Sequence, residues 1–89
     1  MRFQPSPDVV TREIPEGAML VNVQTGSAFK LNRVGAEVWR QLDGQRAIAD
    51  IVAGLERQYG VDAEQLGRDV EALLEDLQKQ GLVSRVERG

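Results

Sequence analysis

Hydrophobic and polar positions follow a period near two from Val9 to Leu31 and a period near 3.6 from Arg33 onward. Residues 9–14, Val-Val-Thr-Arg-Glu-Ile, are β-rich, and Ile14-Pro15-Glu16-Gly17 reads as a turn. Residues 19–23 and 27–31 are two further β-type runs about Gln24-Thr25-Gly26, whose glycine can take the positive φ of a tight hairpin. The pattern predicts a three-stranded antiparallel meander. In its second strand Leu20 and Asn22 fall on one face, and Met19, Val21 and Val23 on the other, so the latter, more apolar face is expected inward. In the third strand Phe29 and Leu31 alternate with Ala28 and Lys30.

Asn32 is a good helix cap, and three helical patterns follow it. The first spans residues 33–42, with Val34, Val38, Leu42 and Trp39 on one stripe, Trp39 as core anchor, and Asp43-Gly44 as the stop. The second spans 47–59, places Ile48, Ile51, Val52 and Leu55 together, ends at Gly60, and lacks a Ser or Thr cap. The third runs from Asp62 as N-cap to Gln80, with Gly81 beyond its end and Leu66, Val70, Leu73, Leu74 and Leu77 as its apolar stripe. Leu82-Val83 resumes an extended segment. Residues 1–8, with Pro5 and Pro7 and no period, are expected to form a flexible arm. Residues 9–86 make up the domain, and 87–89 close a charged stretch that is expected to fray from Ser84 onward. The fold class is therefore α+β, a small winged-helix-like domain with a three-stranded antiparallel sheet followed by three helices.

Composition narrows the chemistry. A chain of 89 residues, 42% hydrophobic, suits one modest core. It has no cysteine and no histidine, which removes disulfides, thiolate nucleophiles, imidazole bases and most metal or haem ligand sets, so no cofactor and no metal is expected. No signal-type apolar run opens it, and no stretch approaches the roughly 20 apolar residues that span a bilayer, so a cytoplasmic protein with no membrane partner is the expectation. A net charge of −3 supplies no long-range attraction to phosphates.

Strands, then helices, then an extended segment is a winged-helix order, which raises nucleic-acid binding first. Residues 62–80 carry six acidic and two basic side chains, and phosphates on both sides of a groove would repel such a helix. Asp69 and Asp76 lie two turns apart on one face, but no nucleophile, metal set or phosphate loop accompanies them, so no enzyme activity is expected. What remains is an interaction module. The third strand has a neighbour on one side only, and an extended peptide can add to such an edge beside an amphipathic helix. A subunit that only pairs edges with a second copy of itself is the other alternative.

Thr25-Gly26-Ser27-Ala28-Phe29-Lys30-Leu31-Asn32, then Gly35-Ala36-Glu37-Val38-Trp39, Leu42-Asp43-Gly44, Ile48-Ala49-Asp50-Ile51-Val52, Asp69-Val70-Glu71-Ala72-Leu73-Leu74, and Leu77 through Gly81-Leu82-Val83 together resemble the PqqD-like family, the recognition elements for ribosomally made, modified peptides. Within it, the third strand looks more like the free-standing leader-binding proteins of lasso-peptide pathways than like the quinone-cofactor members. The resemblance implies a non-catalytic domain that takes the leader of a precursor peptide as an added strand and delivers it to a modifying enzyme or leader protease. It implies a strand wall of Ser27, Ala28, Phe29, Lys30 and Leu31, and a helix wall of Asp69, Val70, Leu73, Asp76 and Leu77. The protein itself is expected to be a monomer or weak homodimer.

Overall fold

The computed structural model describes residues 2–86; Met1 and the expected tail at 87–89 lie outside the described residues. Eight elements follow in order: β1 (Phe3–Pro5), β2 (Val9–Ile14), β3 (Gly17–Asn22), β4 (Ala28–Asn32), α1 (Arg33–Gln41), α2 (Ile48–Tyr59), α3 (Ala63–Lys79) and β5 (Val83–Arg85). The meander is present as an antiparallel sheet in the order β2-β3-β4, and β1 pairs with β5 in a separate two-stranded sheet. The fold is α+β and winged-helix-like, as the alternation of periods predicts.

Three sequence expectations are corrected. First, the buried face of β3 is the other one: Ala18, Leu20 and Asn22 point into the core, Met19 is half-buried, and Val21 and Val23 are exposed. Alternation defines two faces but does not say which one the helices cover. Here α1 packs against β3 and β4 on the Leu20 side, and the polar Asn22 is tolerated there because both its amide oxygen and its amide nitrogen find hydrogen-bond partners. Second, the hairpin is not tight across Gln24-Thr25-Gly26. Gly26 N–H donates to the Asn22 carbonyl at 2.8 Å while Asn22 N–H donates to the Ser27 carbonyl at 2.9 Å. Gly26, at φ 78°, and Ser27 thus face one residue, a G1-type bulge. Val23 leaves the ladder with β4 only, its N–H bonding the Asp8 carbonyl at 2.9 Å in register with the β2 pairing.

Third, the stretch expected as a loose arm carries a strand. Phe3–Pro5 pairs with Val83–Arg85, which also takes Ser84 and Arg85 out of the expected fraying end. Phe3 is buried in the core, and its carbonyl accepts from Gly44 N–H at 3.0 Å. The partner strand lies some eighty residues away, so no local period could reveal the pairing.

The helices form where their caps allow. Asn32 Oδ1 accepts from Gly35 N–H at 2.8 Å to start α1, and Asp62 Oδ1 accepts from Glu64 N–H at 2.9 Å to start α3. The first residue before α2, Ala47, offers no side-chain cap; Gly60, left-handed at φ 65°, ends that helix. Beyond α3, Gly81 N–H bonds the Gln78 carbonyl and Leu82 N–H the Leu77 carbonyl, a Schellman ending whose Leu82 and Leu77 side chains are both buried. Trp39 is a core anchor as expected, and its indole N–H donates to Thr11 Oγ1 at 3.0 Å, tying α1 to β2.

Asn22 joins the two halves of the molecule. Its Nδ2 donates to the Gly81 carbonyl at 3.0 Å, while Oδ1 accepts from Gln24 N–H at 2.8 Å and Thr25 N–H at 3.2 Å. Asn22→Ala removes all three bonds from a buried position and is expected to cost about 2–3 kcal/mol, read as a lower urea midpoint at unchanged slope. Faster amide exchange at Gln24 and Thr25 is the local signature; unchanged stability and exchange would contradict the assigned role.

Candidate functional site

Among the described residues β4 is bonded to β3 alone. The Asn22–Ser27 bond fixes the phase of the ladder, because bonded pairs recur every second residue. Leu20–Phe29 and Ala18–Leu31 are therefore the bonded pairs, and the N–H and C=O groups of Ala28 and Lys30 point away from the sheet. The edge ends at Asn32, whose side chain is committed to the first turn of α1. Gly17 permits this geometry: it sits opposite Asn32, and a Cβ there would collide with the Leu31 carbonyl and the Asn32 backbone.

Beside that edge lies a concave groove of about 440 Å³. One wall is Lys30, Leu31 and Asn32; the floor is Val34, Gly35 and Val38 of α1. The opposite wall is Gln65, Leu66, Asp69 and Leu73 of α3, and Tyr59, Val61 and Asp62 close one end. The interior is aliphatic and the rim polar, as in sites for small ligands or side chains. On the rim Asp69 Oδ1 accepts from Gln65 Nε2 at 2.9 Å, and Lys30 Nζ lies 3.3 Å from Glu16 Oε2. Among the described residues no group of three or more potential ligands is placed to hold a metal ion, and no helix is long and apolar enough to cross a membrane.

The residues named from the sequence divide. Lys30, Leu31, Asp69 and Leu73 meet at the groove, and Ala28 lies on the same open edge. Phe29 is half-buried and packs on the core, and Ser27 is half-buried in the bulge. Val70 and Leu77 are buried, with their side chains in the core cluster. Asp76 is exposed on α3, and its carbonyl accepts from Gln80 N–H at 3.1 Å. Sequence reasoning missed Val34, Val38, Tyr59, Val61, Asp62, Gln65 and Leu66. Tyr59 and Val61 left a trace, as two apolar residues flanking the helix-ending Gly60.

Sheet edge, apolar groove and long acidic helix define a small winged-helix-like domain with an apolar hollow beside the open edge of β4. The chain belongs to the PqqD family: the family model, described as Coenzyme PQQ synthesis protein D, matches residues 17–83. A relative from Rhodopseudomonas palustris (strain TIE-1), a PqqA binding protein, is 34% identical over 53 residues, 60% of this chain and 52% of the relative. The chain thus spans about half the length of that relative. Among solved structures, TbiB1 in complex with the TbiA(beta) leader peptide superposes with a TM-score of 0.82 at 28% identity, covering 96% of this chain and 99% of that one. A lasso peptide synthetase B1 complexed with the leader peptide shares the fold at a TM-score of 0.82 and 24% identity, covering 94% and 99%.

Lys30 on the rim is paired with a titratable marker, Glu16. The Glu16 carboxyl is held below its ordinary value of 4.5, first by its own backbone N–H and then by the Lys30 ammonium. A lowered carboxylate contributes above its unfolded value and loses that contribution as pH falls through the folded one. Lys30→Ala is therefore expected to raise the Glu16 midpoint toward 4.5 without fully reaching it, followed by carboxyl NMR titration. A midpoint unmoved by the substitution would show the ion pair to be absent in solution.

Proposed function

We propose that this protein binds the leader segment of a ribosomally made precursor peptide as an added antiparallel strand on β4, in the groove beside α3. The observation that carries the reading is the outward N–H and C=O groups of Ala28 and Lys30 alongside an apolar groove. Main-chain bonds to such an edge give affinity to any extended peptide, and side-chain seats select among them. Support also comes from the relatives: one is a PqqA binding protein, and TbiB1, at 28% identity, is seen with a leader peptide. The likeness of the strand 28–32 to the leader-binding proteins of lasso-peptide pathways favours a lasso-type precursor.

The protein acts as an adaptor without chemistry of its own, a monomer or weak homodimer in the cytoplasm. It hands the precursor to a modifying enzyme or leader protease. Holding the leader while the enzyme holds the adaptor turns a bimolecular encounter into a tethered one, with effective concentrations reaching about millimolar for short linkers. Nucleic acid is disfavoured, since α3 presents Glu64, Asp69, Glu71, Glu75 and Asp76 to solvent.

Titration with synthetic leader peptides from precursor genes neighbouring its own, read by Trp39 fluorescence or a labelled peptide, tests the proposal. Saturable micromolar or tighter binding to one leader is expected. Lys30→Pro removes one outward donor and no ladder bond to β3, so it should weaken that binding about tenfold or more in a protein whose circular dichroism is unchanged. Full affinity in folded variants with proline at both Ala28 and Lys30 would rule out strand addition.

A further inference from the structure

The pairing groups of β4 run out before the groove does. Ala28 and Lys30 turn their backbone groups outward, but Asn32 already caps α1. The cavity lies at this end, touching Lys30, Leu31 and Asn32 but neither Ala28 nor Phe29. Past Asn32 no strand edge is left to bond a main chain; the surface there is made of side chains.

Two of those side chains come from the corner between α2 and α3, here called the linker: Tyr59 is the last residue of α2, and Val61 lies just beyond its Gly60 cap. Tyr59 and Val61 are 41% and 44% exposed, flank Gly60, and both line the cavity. A lone exposed apolar residue needs no explanation, but two that face one aliphatic hollow from a linker form a continuous apolar surface. The left-handed Gly60 ends α2, and Asp62 starts α3 two residues later, so the linker is held at both ends by helix caps. Tyrosine offers large contact area for few lost rotamers and a hydroxyl that stays in water. Asp62 at the closed end and Asp69 on the adjoining α3 wall are each bonded through Oδ1, and an ionised carboxylate has room for a further donor.

We infer that the linker 59–61 is the selectivity wall of the site: Tyr59 and Val61 clamp a bulky apolar side chain that the peptide carries just outside its strand-paired stretch, next to a cationic residue facing Asp62 and Asp69. The inference rests on the leader-binding reading and adds where its discrimination arises. Ladder bonds are the same for every sequence, so choice among precursors must come from seats of this kind.

The test uses the full chain and the leader peptide that the wild-type protein binds best. Tyr59→Ala is expected to weaken binding about tenfold or more, as for an aromatic anchor, while Tyr59→Phe stays within about twofold. Asp69→Asn should weaken binding and flatten its salt dependence. In a serine scan of the peptide, one apolar position should lose most of its effect in the Tyr59→Ala background, the coupling that a double-mutant cycle reads. Amide shifts at Gly60 and Val61 on peptide addition should accompany this. If Tyr59→Ala binds as wild type, or no peptide position couples to Tyr59, the inference is overturned while leader binding stands. If the wild-type protein binds none of the leaders, or proline at Ala28 and Lys30 leaves binding intact, the leader-strand reading itself fails, and the inference with it.

Discussion

The groove exists because one buried amide holds its two sides in register. Asn22 lies at the end of the central strand, and its side chain reaches in both directions: forward to the turn that launches β4, and across to the C-terminal end of α3. β4 and α3 are the walls of the site, far apart in sequence, and no helix–strand ladder could join them. A polar group at a buried position is costly unless all its bonds are met, and meeting them forces turn and helix end into one relative position. The bulge at Gly26-Ser27 belongs to the same arrangement, since both residues face Asn22. The Schellman ending of α3 delivers the Gly81 carbonyl to Asn22 and sends Leu82-Val83 on to pair with β1.

The open edge is built with comparable economy of means. β4 is short and passes directly into α1 at Asn32, and among the described residues no strand pairs with its outer side. Such an edge invites pairing with any strand. Its reach is limited by the helix cap at one end and the bulge at the other, and Lys30, paired with Glu16, places charge beside it. On the proposed reading, the backbone groups left outward at Ala28 and Lys30 orient an extended peptide. On that leader-binding reading, side-chain burial in the site's adjoining hollow supplies the rest of the affinity. Its acidic helix keeps phosphates away without hindering a neutral or basic peptide.

What the sequence by itself determined is local. The helices, their caps at Asn32 and Asp62, their stops at Gly60 and Gly81, and the three β runs of the meander before them were all legible, because capping, helical period and glycine's left-handed freedom act within a few residues. The strand wall at Lys30 and Leu31 and the helix wall at Asp69 and Leu73 were legible too, through resemblance joined to the edge argument. The tertiary structure alone decided which face of β3 is buried, since Met19, Val21 and Val23 are more apolar than Ala18, Leu20 and Asn22 and yet lie outward. It decided that Phe3 closes the core by pairing with a strand at the opposite end of the chain. It also separated Val70 and Leu77, turned into the core, from Leu66 and Leu73, which reach the groove. A helical stripe says that residues share a face; only the packing of α1 and α3 against the sheet, and the course of the linker at Tyr59 and Val61, says which part of that face meets a neighbour and which part is left for a ligand.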